Sequence, residues 1–313
     1  MTRNPGKLIP DVFRATPSLD AGPAVAVVSE LDDRYLDAIG VVVTTDGDLP
    51  DGLDLDRAAL ERAGFEGKAG STLVLPYGSG PLLVVVGAGA AGELTASGLR
   101  DAAAAFTRAT AKFARIGLRV PVIGDAEAAT AGQALAEGAL LARYRFDALK
   151  REPKDVPLTR VELLIDGADV VEASAGAKTG AVTARAANLA RDLANSPPGH
   201  LTATEMADVA VSLGERFGFD VEVFDKEQLI ELGCGGLLGV NSGSAEEPRM
   251  IKLRYTPPSD STGHLGLVGK GIMYDSGGIS LKPSDPMHLL MNCLLYTSPS
   301  PRDLSTSRMP SSA

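Results

Sequence analysis

PLLVVVGAG (81–89) and the alanine-rich stretch that follows it, LRDAAAAFTRATAKFA (99–114), decide the fold. The first is a continuous apolar run that ends in glycines, which is typical of a strand buried on both faces of a sheet. The second is long, rich in alanine and free of proline, which predicts a helix. A buried strand that leads into a helix is the repeating unit of an α/β fold.

Segments of the same two kinds lie on both sides of this unit. A further helix is predicted at ATAGQALAEGALLARYRF (129–146). Three more apolar runs predict strands: AIGVVVTT (38–45), STLVLPY (71–77) and RVPVIGD (119–125). Because continuous apolar strands alternate with helices, we expect α/β architecture with a largely parallel, buried sheet.

The pattern breaks at REPKDVPLTR (151–160), where charge and proline accumulate. We place a domain boundary there, with an amino-terminal α/β domain at residues 1–158 and a second domain at residues 159–293. The second domain begins with a predicted strand, VELLID (161–166). Its sheet is also expected to be mostly parallel and flanked by helices.

Three helices, a strand VEVF (221–224) and further apolar segments are predicted in the second domain. Thr202 and Glu205 form a capping-box pattern at the start of the second of these helices. HLGLV (264–268) is expected to be a strand whose carboxyl end carries a glycine-rich motif, where open α/β sheets place their ligands. The apolar positions of the first two helices recur at helical spacing and are expected to be core: Val182, Ala186, Leu189 and Leu193, then Met206, Val209, Leu213 and Phe217.

Composition excludes several classes of function. The 313 residues include 30 basic and 40 acidic side chains, so a net charge of −10 predicts no general attraction to nucleic acid or anionic membranes. The opening MTRNPGKLIPD lacks a signal-peptide pattern, and no apolar run approaches the roughly 20 residues that span a bilayer, so we expect a cytoplasmic protein. Two cysteines, Cys234 and Cys293, and three histidines without HExxH or similar spacing predict neither a disulfide framework nor a histidine-based metal site.

One possible site follows the strand at 81–89. Gly87, Gly89 and Gly92 have the GxGxxG spacing of a dinucleotide-binding turn. The acidic residue expected about 20 positions further on is missing, because the next predicted strand closes only at Asp125. A plain strand-to-helix turn is therefore the simpler interpretation, and a nucleotide-binding oxidoreductase is an alternative function.

The second possible site is GKGIMYDSGGISLKP (269–283), which has two lysines and one aspartate among four glycines. The string DSGG resembles the nucleophile loop of trypsin-like proteases, but Tyr274 precedes it and no GxSxG elbow surrounds Ser276. A carboxylate suits a divalent metal, whereas a lysine binds metal only when neutral. From the residues alone, solvated lysines or phosphate contacts remain open alternatives.

A longer resemblance distinguishes between these interpretations. LVGKGIMYDSGGISLKPSDPMH resembles the metal-binding signature of the cytosolic leucyl aminopeptidase family, the two-metal M17 peptidases. The upstream segments NLARDLANSPPGHLTATEMA (188–207) and GCGGLLGVNSGSAEEPRMIKLRY (233–255) resemble the same family. The resemblance implies a hexameric metallo-aminopeptidase that removes amino-terminal residues from peptide substrates with two divalent ions, Mn²⁺ or Zn²⁺.

The resemblance also implies roles for three side chains. Lys270 would be a neutral lysine ligand of one metal, and Asp275 would be a carboxylate ligand bridging both ions. Lys282 would be catalytic, donating to the carbonyl oxygen that becomes negative during attack. The glycines would let the backbone approach the site closely.

The resemblance ends near Cys293. The family places another metal-binding aspartate about 11 or 12 residues after Lys282, where this chain reads MNCLLYTS. Residues 294–313 are rich in Ser, Thr and Pro, which predicts a disordered or non-native tail. We therefore expect an incomplete catalytic domain and an inactive chain, with a non-catalytic binding or regulatory subunit as another alternative.

Overall fold

The computed structural model describes residues 13–20, 22–50, 53, 55–75, 80–121, 127–150, 152–153 and 155–282. These residues form two compact units, which are described separately. Unit 1 contains the described residues of Pro17–Leu189. Unit 2 contains those of Val12–Thr16 and Ala190–Ala313.

Unit 1 is a mostly parallel sheet flanked by helices, as the sequence predicts. Its strands lie in the order β1-β6-β5-β2-β4-β3, and each neighbouring pair is parallel except β3 and β4, which are antiparallel. The strands are β1 (Ala24–Val27), β2 (Ala38–Val43), β3 (Thr72–Leu75), β4 (Leu82–Gly87), β5 (Arg115–Val120) and β6 (Arg160–Ile165). The helices are α1 (Arg57–Arg62), α2 (Ala96–Ala109), α3 (Ala128–Ala142) and α4 (Val170–Asn195).

Strand β2 is buried on both faces of this sheet. Ala38 and Val42 belong to a large cluster built with α2 and α3. Val41 and Val43 belong to a smaller cluster that includes α1. Since successive strand residues point to opposite faces, each face of β2 meets a different apolar layer. This arrangement explains why the strand is apolar throughout and does not alternate with polar residues.

Glycines allow α3 and α4 to pack with their backbones in close contact. A Cβ atom on Gly176 would lie 1.8 Å from the carbonyl oxygen of Ala129, and one on Gly132 would lie 2.1 Å from that of Ala173. Real Cβ atoms do not approach other atoms so closely. The two helices can therefore adopt this separation only with glycine at these positions.

The units divide between Leu189 and Ala190, inside helix α4, and not at the predicted boundary between residues 158 and 159. Strand β6, which was expected to begin the second domain, lies between β1 and β5 in the sheet of unit 1. Its pairing with both neighbours makes it an integral part of that sheet. Helix α4 then packs against α3 through the glycines described above.

Unit 2 combines short helices with a small sheet. Its elements are α5 (Ala203–Phe217), β7 (Asp220–Phe224), α6 (Lys226–Glu231), α7 (Gly235–Asn241) and β8 (Met250–Arg254). Strands β7 and β8 pair antiparallel. In the described part of unit 2, this pairing differs from the expected mostly parallel sheet.

Local signals at the ends of the unit 2 helices include one that the sequence predicts. Thr202 and Glu205 form the expected capping box at the start of α5. Asp225 and Gln228 form a second capping box at the start of α6. Gly233 has a φ of 69°, which suits a glycine just beyond the end of that helix. No helix among the described residues is long and apolar enough to cross a membrane.

The predicted apolar stripe of α5 is only partly core. Phe217 is 48% exposed, whereas the buried positions of this helix are the small residues Ala207, Ala210 and Gly214. A Cβ on Gly214 would lie 2.6 Å from Val221 of β7, so the sheet packs against the small residues. The apolar stripe of α4 is also partly exposed to solvent, because Val182 is 66% exposed. The prediction that these stripes are core is therefore wrong in part.

Candidate functional site

The glycine-rich motif at 269–283 follows an extended segment of chain. HLGLV (264–268), which was expected to be a strand, forms none, and its side chains Leu265, Leu267 and Val268 are mostly exposed. The prediction that the motif leaves the end of a strand is therefore wrong for the described residues. Without a neighbouring strand to pair with, an apolar segment does not assume strand hydrogen bonding.

The motif itself forms a closed turn, which we call the 275–282 turn. The Lys282 Nζ donates to Asp275 Oδ2 at 2.6 Å, and the Gly277 amide donates to Asp275 Oδ1 at 2.9 Å. The Lys282 amide donates to the carbonyl oxygen of Ser276 at 2.9 Å, which closes the backbone. Gly277 and Gly278 have φ values of 89° and 63°, a region that side chains disfavour. The glycines therefore allow the turn to bring Lys282 back to Asp275.

The electrostatics of the turn link the three predicted site residues. The hydrogen bond from Lys282 is the largest influence on Asp275 and lowers the pKa of its carboxyl group, and the Gly277 amide lowers it further. Slight burial opposes these effects, and the positive charges of Lys282 and Lys270 add to them. The structure thus brings Lys282 into contact with Asp275, and the charge of Lys270 contributes to the electrostatic neighbourhood of the same carboxyl group.

The donor set of this neighbourhood fits part of a metal site. A carboxylate oxygen suits Mn²⁺ or Zn²⁺, and Lys270 could add a nitrogen if it were neutral. Among the described residues, no group of three or more His, Cys, Asp or Glu side chains could hold a metal ion. Asp275 and Lys270 can thus contribute to a metal site but do not complete one. Cys293 and residues 294–313 lie outside the described residues.

In the alternative site at Gly87, Gly89 and Gly92, the first two glycines serve the packing of unit 1. A Cβ on Gly87 would lie 2.1 Å from the carbonyl oxygen of Lys68, so this glycine admits a neighbouring loop. Gly89, with a φ of 81°, donates its amide to the carbonyl oxygen of Gly67 at 2.9 Å. These contacts occupy the first part of the turn with protein backbone.

A carboxylate occupies the position that a phosphate would need. The amide of Ala91, in the short 3₁₀ helix Ala91–Glu93, donates to Asp46 Oδ1 at 2.7 Å. Dinucleotide sites leave such amides free for the pyrophosphate, and a negative side chain there repels it. The geometry therefore does not favour the nucleotide-binding interpretation. Asp46 lies three residues beyond the end of β2, but its partner lies 45 residues away, so the sequence offered no signal for this contact.

Two family models match the chain. The one described as "Cytosol aminopeptidase family, catalytic domain" matches residues 188–293, which include Lys270, Asp275 and Lys282. The one described as "Cytosol aminopeptidase family, N-terminal domain" matches residues 54–153. Together the two matched stretches exceed half of the chain.

Curated relatives of this chain are also described as cytosol aminopeptidases. A "Probable cytosol aminopeptidase" of Streptomyces avermitilis is 41% identical over 243 residues, which cover 72% of this chain and 46% of the relative. Another, of Mycobacterium bovis, is 35% identical over 307 residues, covering 92% of this chain and 58% of the relative. The chain therefore spans about half the length of the curated relatives it matches.

Solved structures resemble this one over most of the chain. The "Bottromycin maturation enzyme BotP in complex with Mn" is 35% identical, with a TM-score of 0.68, and the match covers 83% of this chain and 53% of that chain. A mutant of tomato leucine aminopeptidase is 20% identical, with a TM-score of 0.69, over 80% of this chain and 54% of that one. The second likeness, at this identity, shows the fold alone.

Proposed function

The chain belongs to the cytosol aminopeptidase family of peptidases, and from this premise we propose that it represents a metal-dependent aminopeptidase. The reaction would be hydrolysis of the amino-terminal peptide bond of peptide substrates. The observation that carries this proposal is the match of the catalytic-domain family to residues 188–293, the stretch that contains the 275–282 turn. The nucleotide-binding and non-catalytic alternatives gain no comparable support.

Metal dependence is supported by the donors and by one neighbour. Lys270 and Asp275 are the proposed ligands, and the similar BotP enzyme was solved in complex with Mn. When bound, two divalent ions supply an activated water and stabilise developing negative charge. Either Mn²⁺ or Zn²⁺ suits a carboxylate and a neutral amine. The number and identity of the ions are part of the proposal.

Lys282 is the proposed catalytic residue. Its side chain is 27% exposed, and its Nζ lies 2.6 Å from Asp275. An ammonium group in this position can donate to the carbonyl oxygen of a substrate held beside Asp275, where negative charge develops during attack. This role requires Lys282 to exchange its hydrogen bond with Asp275 for one with the substrate.

The 313-residue chain by itself is proposed to be inactive. One carboxylate and one amine are too few donors to hold two divalent ions at useful affinity. A cytoplasmic location and a hexameric assembly are proposed from the family alone. Since the chain spans about half of its relatives, these properties belong to the proposal for the whole protein.

A chimera tests the proposed function. Residues 1–290 would be joined to the corresponding carboxyl-terminal part of the Streptomyces avermitilis relative, and release of leucine from leucine p-nitroanilide would be measured with Mn²⁺. We expect the chimera to be active and the 313-residue chain to be no faster than the blank. Lys282→Met should lower kcat in the chimera about 100-fold, because one oxyanion donor is lost.

Two controls decide the class of reaction. Acetylation of the substrate amine should abolish cleavage, because an aminopeptidase needs the free amine. Asp275→Asn should abolish the cleavage that depends on Mn²⁺. Cleavage of the acetylated substrate, or full activity of the asparagine variant, would contradict the proposal.

A further inference from the structure

We propose that the outer edge of β8 binds β7 of a second copy of this chain, so that the two-stranded sheet of unit 2 continues from one molecule into the next. The inference is independent of the proposed aminopeptidase activity. It names the strands through which two copies meet, and it predicts a contact that repeats from copy to copy without closing.

Each strand of this small sheet has one neighbouring strand among the described residues. Strands β7 and β8 pair antiparallel with each other, and no further strand of the described chain joins them. Alternate backbone groups of a strand point to opposite sides, so within the described chain β8 presents a row of unpaired N–H and C=O groups along its outer edge. Two strands alone are only marginally stable, and a third strand would stabilise the sheet.

The two strands carry opposite charges on one face. In the register of the sheet, Asp220 lies opposite Arg254 and Glu222 lies opposite Lys252. The second pair is joined, with Lys252 Nζ 2.7 Å from Glu222 Oε2. Arg254 is exposed, and it forms no ion pair with any side chain in the described part of the chain. Its guanidinium group is therefore available to a carboxylate that approaches from the outer edge of β8.

Charge decides which strand of a second copy fits this edge. Antiparallel pairing of β8 with β8 of the second copy would place basic side chains close together, and pairing of β7 with β7 would do the same for acidic ones. Like charges opposite each other destabilise a sheet. Pairing of β7 with β8 instead places Asp220 and Glu222 of the second copy beside Arg254 and Lys252, which repeats the register within each copy.

The opposite face of the sheet adds apolar contact. Val221 packs against α5, where a Cβ on Gly214 would lie 2.6 Å from it, but its register partner Leu253 is 57% exposed. In the same register, Val221 and Val223 of an incoming β7 would lie beside Leu253 and Ile251 and cover them. Burial of this apolar surface favours the association.

The proposed contact is heterologous, because it joins β8 of one copy to β7 of the next. A row of copies therefore keeps one β8 edge and one β7 edge open at its ends. Such contacts build open assemblies when the rotation between copies does not close a ring. We expect the assemblies to lengthen as the protein concentration rises and not to stop at a dimer.

The test is sedimentation velocity of the full 313-residue chain at increasing concentration. We expect Arg254→Asp and Asp220→Arg each to weaken association about two- to tenfold, because an attractive contact between copies becomes repulsive. The double variant should associate as the wild type does, since its charges are exchanged but still opposite. An equimolar mixture of the two single variants should associate more strongly than either alone, a result that loss of folding would not produce.

A peptide with the sequence of β7 and its flanks, FDVEVFD (219–225), provides a second measurement. In excess over the wild-type chain it should occupy the β8 edge and shorten the assemblies. The matched control peptide carries Asp220→Arg and Glu222→Lys and should leave them unchanged. Amide hydrogen exchange of β8 should slow with the first peptide, whereas exchange of β5, which lies inside the sheet of unit 1, should not change.

The outcomes separate this contact from other modes of association. Unchanged sedimentation of both single variants would overturn the proposal, and so would equal effects of the two peptides. If substitution of Leu265 and Leu267 by aspartate removed association while Arg254→Asp did not affect it, the exposed apolar segment would be the contact instead. A dimer of fixed size at all concentrations would contradict the open-ended pairing. None of these results depends on the activity of the chimera.

Discussion

At the scale of single residues, Glu137 shows how a buried carboxylate can join three helices of unit 1. Its Oε2 accepts from Arg100 of α2 at 2.7 Å, and its Oε1 accepts from Gln133 of α3 at 2.9 Å and Thr183 of α4 at 2.7 Å. Burial is the largest influence on this group and would raise its pKa. The three hydrogen bonds and the charge of Arg100 outweigh it and hold the pKa of Glu137 below its ordinary value.

We expect acid to weaken unit 1 through Glu137. Because folding lowers its pKa, its stabilisation is complete above the ordinary value of about 4.5 and is lost as the pH falls through the lower folded value. Glu137→Gln should cost about 1–3 kcal/mol at neutral pH, because hydrogen bonds to a charged group are lost. Urea denaturation followed by circular dichroism at several pH values would measure the free energy of unfolding.

The control for this prediction is Glu172→Gln, an exposed change near the start of α4. The free energy of unfolding of that variant should change with pH as it does in the wild type throughout the acid range. Glu137→Gln should instead lose less stability than the wild type between neutral and acid pH. If the free energy of unfolding fell equally with acid in Glu137→Gln and the wild type, the carboxylate of Glu137 would not be the cause of the acid sensitivity.

The resemblance names candidate site residues, but it could not reveal their contacts. Lys270, Asp275 and Lys282 were identified by resemblance, and their roles stay predictions. The ion pair between Asp275 and Lys282 depends on two glycines at positive φ, a backbone choice that spacing does not reveal. The contact of Asp46 with Ala91 joins distant parts of the chain, so local pattern could not show that the glycine-rich turn was already occupied.

At the scale of elements, the close contact of α3 and α4 is set by glycine. We expect Gly176→Ala to destabilise unit 1 by about 1–3 kcal/mol, because the new Cβ would force the helices apart. Gly98→Ala in α2 is a matched control, since its Cβ would meet Leu94 at an ordinary 3.4 Å. That change should be neutral or stabilise by up to about 1 kcal/mol through helix propensity.

Thermal unfolding of the two glycine variants measures this difference directly. The melting temperature should fall for Gly176→Ala and stay level or rise for Gly98→Ala. Similar melting temperatures would mean that α4 can shift away from α3 at little cost. The alignment of α4 along α3, and not the glycines, would then determine how the two helices pack.

The helices and strands themselves were largely predictable, whereas the order in which the strands pair in the sheet was not. Apolar runs located β2 and β4, alanine content located α2, and helical spacing located α5. The order of the strands depends on pairing between distant segments, so β6 could be recognised as a strand without revealing that it lies between β1 and β5. The boundary at 158 and 159 followed from local charge and proline, which carry no information about that pairing.

At the scale of the whole molecule, unit 2 exposes a run of apolar side chains. Leu265, Leu267 and Val268 are 84%, 76% and 82% exposed, and Ile279 and Leu281 follow nearby in the chain. Contiguous exposed apolar surface favours association. We expect the purified chain to form concentration-dependent assemblies, which sedimentation velocity would detect.

Substitution of Leu265 and Leu267 by aspartate should shift these assemblies toward monomer. Val171→Asp, at an exposed position of α4 in unit 1, is the control and should leave the sedimentation profile unchanged. A monomeric wild-type chain at all concentrations would contradict the prediction. Equal effects of both substitutions would place the association surface elsewhere.

The position of β1 has a consequence for biosynthesis. This strand is among the first parts of unit 1 to leave the ribosome, yet its neighbour in the sheet is β6, with Ala24 opposite Arg160. At ordinary translation rates the nascent chain carries β1 unpaired for on the order of ten seconds before β6 emerges. The amino-terminal strand therefore docks late, and during that interval Val25 and Val27 are available to a chaperone that binds extended apolar segments.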